Sequence, residues 1–179
     1  MDPDQSPFRT DMVGDLAKSW AWSEDGRTLT VTIHEGAKWS DGVDVTAADV
    51  VFSLDRMVES GAGPRPRVRN ITPYYASSTV VDNLTLDLHP KFPTPPTLLS
   101  WLGVDYMAMV PKHILEAGGD IDSSSSFVGS GAYTLKNWEQ GSGFELEANP
   151  NYFKTGLPYL DGRQETLVKD PSRSLAAFQ

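Results

Sequence analysis

The sequence predicts a mixed α/β fold that leans towards α+β, made of antiparallel hairpins joined by short helices. Three observations carry this. Apolar and polar residues alternate with period two in pairs of segments that flank turn residues. One segment carries a long apolar stripe at helical spacing behind a capping signal. No regular alternation of strand and helix, which a parallel sheet requires, runs along the chain.

Taken in order, residues 17–23 alternate small or polar residues with Trp20 and Trp22, and residues 28–34 alternate strictly. Between them Ser23-Glu-Asp-Gly26 supplies a turn, with Gly26 suited to positive φ. A hairpin is expected, burying Leu29, Val31 and Ile33. Trp39-Ser-Asp-Gly42 is a second turn signal. Thr46-Ala-Ala-Asp49 has near capping-box form and opens a helix with Val50, Val51, Leu54, Met57 and Val58 on one stripe, ended by Gly61. Prolines 64, 66 and 73 with Gly61 and Gly63 make the next stretch a loop.

Residues 79–81 and 84–88 flank Asp82-Asn83 as a second hairpin. Pro95–Leu102 and Pro111–Ala117 read as short helices, the second closed by Gly118-Gly119. Gly118 to Ser126 is the segment where a subdomain crossing is expected. Residues 132–138 and 144–148 pair across Gly141-Ser-Gly143 as a third hairpin. Asp170-Pro-Ser172 starts an apolar helical face with Leu175, Ala176 and Phe178 that stops at Gln179. So short an amphipathic helix lacks a surface to bury against, and the chain is therefore expected to be a fragment.

Composition narrows the function. With 39% apolar and 22% charged residues, the 179-residue chain has the make-up of one ordinary domain or two small ones. No run approaches the roughly 18 apolar residues of a membrane-spanning helix. The first residues lack the basic and apolar regions of a leader, so any such segment is expected to have been removed. Fifteen Lys and Arg against 24 Asp and Glu give −9, which argues against nucleic acid as a partner. Seven of those net negative charges lie in residues 1–60, most simply a solvated face. Cysteine is absent, which excludes disulfides, thiolate metal sites and cysteine nucleophiles.

Catalytic patterns fail one after another. His34, His89 and His113 stand in unrelated contexts, with no zinc-binding spacing, and each reads as a strand-end or helix-surface residue. Gly129-Ser130-Gly131 lacks the Gly-x-Ser-x-Gly form of a nucleophile elbow. Acids are abundant, but abundance is no glycosidase constellation. No phosphate-binding glycine pattern occurs, so no enzyme, metal or cofactor is expected. Two features suit binding instead. Arg65, Arg67 and Arg69 could hold a carboxylate or phosphate, or simply form a solvated loop. Trp101, Tyr106, Tyr133 and Trp138 could line a cleft, or simply belong to the core.

The order of these segments resembles a family. Leu16-Ala-Lys-Ser-Trp20, Ser23-Glu-Asp-Gly-Arg-Thr-Leu-Thr-Val-Thr-Ile33 and Gly36-Ala-Lys-Trp-Ser-Asp-Gly42 are similar to the opening of extracytoplasmic solute-binding proteins of family 5, which serve peptide, nickel and related ABC importers. Val45–Leu54, Leu84–Leu88, Val110-Pro-Lys-His113, Gly129-Ser-Gly-Ala-Tyr-Thr-Leu135, Asn149-Pro-Asn-Tyr-Phe153 and Asp170–Ala176 follow in family order.

The resemblance implies a bilobal receptor that closes on a solute and delivers it to a membrane permease, outside the cytoplasm, in the periplasm or at the cell surface. It also implies part of the first lobe only: an accessory subdomain over residues 1–127, then an incomplete piece of the main α/β domain over 128–179. Peptide is the expected solute; an oligosaccharide receptor or a protein-interaction module are the alternatives. The resemblance places cleft-lining segments at Arg65, Arg67 and Arg69, at Tyr106 and Met107, and at Gly129, Ser130, Gly131 and Tyr133. Neither an aromatic beside the arginines nor an arginine near Met107 is present, which disfavours a nickel chelate. The incomplete lobe is expected to bind solute weakly or not at all, and to pair with itself through its unfinished face.

Overall fold

A computed structural model describes residues 12–59, 71–93, 95–103, 107–121 and 127–168. The elements run β1 (Ala17–Trp22), β2 (Leu29–Ile33), α1 (Ala47–Val58), β3 (Tyr75–Val80), β4 (Thr85–Pro90), α2 (Pro95–Leu102), α3 (Lys112–Glu116), β5 (Tyr133–Glu139), β6 (Gly143–Ala148) and β7 (Gly162–Thr166). They form two antiparallel sheets, one of order β1-β2-β4-β3 and one of order β5-β6-β7. The mixed, antiparallel architecture is the one the hairpin signals predict. The helical start at Asp170–Ser172 lies outside the described residues.

The first hairpin turns at Gly26, whose φ is +65°, and Ser23 closes it: its Oγ accepts the Thr28 N–H at 2.9 Å. Trp20 faces Val31 and Trp22 faces Leu29 across the ladder. The second hairpin turns on Asp82, whose Oδ1 accepts the N–H groups of Leu84 and Thr85 at 2.8 Å each. Local alternation did not foresee that β2 also pairs with β4, Val31 opposite Leu86 and Leu29 opposite Leu88, which fuses the two hairpins. Pairing across 57 residues leaves no mark in a local pattern. Its result is one apolar face carrying Leu29, Val31, Ile33, Leu86 and Leu88, all buried.

Helix α1 covers that face. Its capping box forms as expected, with Asp49 Oδ2 accepting the Thr46 N–H at 2.9 Å and hydroxyl at 2.7 Å. The expected stripe packs on the core, to different depths. Val50 and Leu54 are buried while Val51, Met57 and Val58 are half-buried, and the polar Asp49 and Ser53 share the buried face. Both have partners beyond the helix. Asp49 Oδ1 accepts the Lys112 N–H at 3.2 Å, and Ser53 Oγ accepts the Val110 N–H at 2.9 Å. These bonds fasten α3 and the segment before it to α1. Trp39, Val45, Ile71, Leu98 and Met107 complete the core around the helix and sheet.

In the second sheet, β5 and β6 pair across Gly141 to Gly143, with Leu135 opposite Leu146 and Trp138 opposite Phe144. Strand β7 is an addition to the predicted elements. Its residues, Gly-Arg-Gln-Glu-Thr, are exposed apart from half-buried Glu165, so no apolar alternation announces it. It lies so close to β6 that a side chain at Gly162 would stand 2.6 Å from the Leu146 carbonyl oxygen.

Candidate ligand-binding segment

The two sheets meet along a seam built on the Trp39–Gly42 turn. That turn closes with the Gly42 N–H on the Trp39 carbonyl at 2.9 Å and the Val43 N–H on Asp41 Oδ1 at 3.1 Å. Ser40 then reaches the second region three times. Its N–H donates to the Gly129 carbonyl at 2.9 Å, its Oγ accepts the Gly129 N–H at 3.3 Å, and its carbonyl accepts Asn151 Nδ2 at 3.3 Å. From the other flank, His113 Nε2 lies 2.8 Å from Asp41 Oδ2 and ties α3 to the same turn. Partial burial works against ionisation of Asp41, but the His113 contact and the Val43 N–H outweigh it and hold its carboxyl below the usual range.

A second set of contacts runs beside the first. Lys154 Nζ pairs with Asp15 at 2.7 Å and sits 5.7 Å from the centre of the Phe153 ring, which lies 5.0 Å from the His34 ring. Burial lowers the pKa of His34, and the neighbouring charges of Lys154 and Lys18 lower it further. The strand-end reading of His34 holds, since it follows Ile33 at the end of β2. His89 lies within β4, near the hydroxyls of Thr28 and Thr79, and His113 lies on α3. Among the described residues no group of three or more His, Cys, Asp or Glu could hold a metal ion.

Between these contacts the backbone from Gly129 to Ala132 is held by Ser40 and Asn149. Both polar groups of Gly129 are used by Ser40. The Gly131 carbonyl accepts Asn149 Nδ2 at 2.8 Å, and the Ala132 carbonyl accepts the Asn149 N–H at 2.9 Å. The Ser130 N–H and carbonyl and the Gly131 N–H take no hydrogen-bond partner among the described residues. Gly131 is exposed, and nothing lies within 4 Å of the place a side chain there would occupy. Tyr133, half-buried, begins β5 opposite Ala148.

The structure thus brings Gly129, Ser130, Gly131 and Tyr133 together on one short segment. Met107 is elsewhere, 6% exposed within the core of the first sheet. Arg65, Arg67, Arg69 and Tyr106 lie outside the described residues. Of the other candidate aromatics, Trp138 is half exposed on β5. Sequence reasoning missed Ser40 and Asn149 as the residues that fix the segment. Both sit in motifs the sequence itself marks, Trp39–Gly42 and Asn149–Phe153, but their partners are 89 and 18 residues away.

Comparison with known proteins decides the family. The description "Bacterial extracellular solute-binding proteins, family 5 Middle" matches residues 11–179. The chain belongs to that family. It is 32% identical over 164 residues to the glutathione-binding protein GsiB of Salmonella typhimurium, a match covering 92% of this chain and 31% of GsiB. Among solved structures it resembles the oligopeptide-binding protein AppA of Bacillus subtilis in complex with a nonapeptide. The TM-score is 0.78 at 27% identity, over 92% of this chain and 33% of that one. It also resembles MoaA of A. tumefaciens R10 in complex with mannopinic acid, with TM-score 0.80 at 26% identity, over 93% of this chain and 33% of the other. This family-5 chain therefore spans about a third of the length of such relatives.

Proposed function

We propose that this chain is part of the solute receptor of an ABC importer, that its solute is a peptide, and that it catalyses no reaction. One observation carries the reading within the family: the Ser130 N–H and carbonyl and the Gly131 N–H have no partner among the described residues, and the place of a Gly131 side chain is open. A peptide backbone presents the complementary row of donors and acceptors and can bind as an added strand, whatever its side chains. The likeness to AppA in complex with a nonapeptide supports the same class. Gly129, Ser130, Gly131 and Tyr133 are the residues assigned to it.

The mechanism is a population shift. A receptor of two lobes moves from open to closed because the solute contacts both, and the closed form is delivered to a permease. A chain carrying one side of the cleft binds solute weakly. The family description supports a place outside the cytoplasm, periplasm or cell surface, and no described helix is long and apolar enough to cross a membrane. We place the boundary between accessory and main parts at Val128, where the chain leaves the first core for the seam. Exposed Tyr159, Leu160 and Leu167 around β7 support self-pairing through that edge, which light scattering across a dilution series checks.

The test is an NMR titration of the 15N-labelled chain with tri-L-alanine and, separately, maltotriose. Saturable shifts at Ser130 to Tyr133 with the peptide alone are expected, at a dissociation constant on the order of millimolar. Shifts with maltotriose alone would replace the peptide by a sugar.

A further inference from the structure

We infer that Asn149 is a positioning residue that presets the Ser130–Gly131 backbone for its ligand; the ligand half of this inference rests on the function proposed above. Asn149 is 3% exposed, and it is the sole buried residue among those described from 127 to 168. Every polar group it owns is used. Its Nδ2 donates to the Gly131 carbonyl at 2.8 Å, and its Oδ1 accepts the Asn151 N–H at 2.9 Å. Its backbone N–H donates to the Ala132 carbonyl at 2.9 Å, and its carbonyl accepts the Tyr152 N–H at 3.1 Å.

The placement of these bonds matters. Asn149 takes the carbonyls of Gly131 and Ala132, and Ser40 takes both groups of Gly129. Bonds on both flanks fix the backbone while the Ser130 N–H and carbonyl and the Gly131 N–H keep no partner among the described residues. Glycine at 131 has no side chain to restrict its backbone, so the Asn149 bond supplies the order that residue type lacks. A preset edge binds with less loss of freedom than a loose one.

The substitution Asn149→Asp keeps the shape and the acceptor for Asn151 but removes the donor to Gly131. Burial beside a carbonyl oxygen favours the neutral form of this carboxyl, so lowering the pH towards 5 should let it donate again. The readouts are 15N relaxation at Ser130 and Gly131, with Leu135 and Leu146 as internal references, and the tri-L-alanine titration. At pH 7.5 N149D should lose order at Ser130 and Gly131 alone and bind about tenfold more weakly than wild type. Both should recover near pH 5, while N149A stays impaired at both pH values and wild type changes at neither.

Retained order at Ser130 and Gly131 in N149D and N149A at pH 7.5 would overturn the inference. So would loss of order spread equally to Leu135 and Leu146, which marks a residue of the general fold. Equal affinity of N149D and wild type at pH 7.5 would also overturn it. If wild type itself shows no shifts with tri-L-alanine, the peptide reading fails, and the relaxation data still decide whether Asn149 fixes this backbone.

Discussion

The four-stranded and three-stranded sheets are made of similar hairpins, yet they bury very different things. Every buried hydrophobic residue among those described lies between Leu29 and Pro111, and the described residues 127–168 bury one residue, the polar Asn149 just past β6. The first sheet has a helix across one face. The second is held by its ladders and by the seam at Ser40, Asn149 and Phe153. The difference teaches that the first region owns a core, while the second borrows its order from contacts at one end. The proposed receptor role fits this division, since a rigid part can support a less rigid backbone segment that meets a ligand.

Truncation should expose the contrast most strongly. Leu86→Ala, at a fully buried site in central strand β4, should cost about 2–5 kcal/mol in urea unfolding. Leu146→Ala at half-buried β6 should cost about 1 kcal/mol. Equal costs would mean that the second sheet has a core of its own. Next comes Asp49→Ala, which removes the Asp49 half of the α1 capping box and strands the Lys112 N–H, at about 2–3 kcal/mol in the same assay. Ser40→Ala should cost about 1 kcal/mol and lower protection of β5 and β6 more than of β2. A uniform loss of protection would remove the seam from the account.

The smallest effects are in pH. The Tyr75 hydroxyl is buried and bonded to Asp55, and both raise its pKa. Its contribution is present below the unfolded value of about 10 and is lost as pH rises above it. Tyr75→Phe should flatten the alkaline limb of a thermal-stability profile. Asp41 is the opposite case. Its depressed pKa contributes stability above about pH 4 that is lost as pH falls through the lower folded value. Asp41→Asn should flatten the acid limb, and an unchanged limb would show that the His113 contact adds nothing.

Elements whose cause is local were legible in the sequence: the turns at Gly26, Asp82 and Gly141, the Thr46–Asp49 cap, and the end of α3 at Gly118. Pairing of β2 with β4 and the polar strand β7 were not, because neither leaves a local period. The proposed ligand segment, Gly129 to Tyr133, stands out in the sequence only as a motif of the family resemblance. The bonds that hold it do not. They come from Ser40 and Asn149 across gaps of 89 and 18 residues, and side-chain bonds at such distance have no signature in composition or spacing.

Native-state hydrogen exchange, followed by NMR with and without tri-L-alanine, tests the contrast most directly. The account predicts that amides of β2 and β4 exchange only through global unfolding and those of β5 to β7 through a smaller opening. Ser130 and Gly131 should exchange fastest and slow when the peptide is added. One protection level across both sheets, with Ser130 and Gly131 unmoved by the peptide, would contradict it.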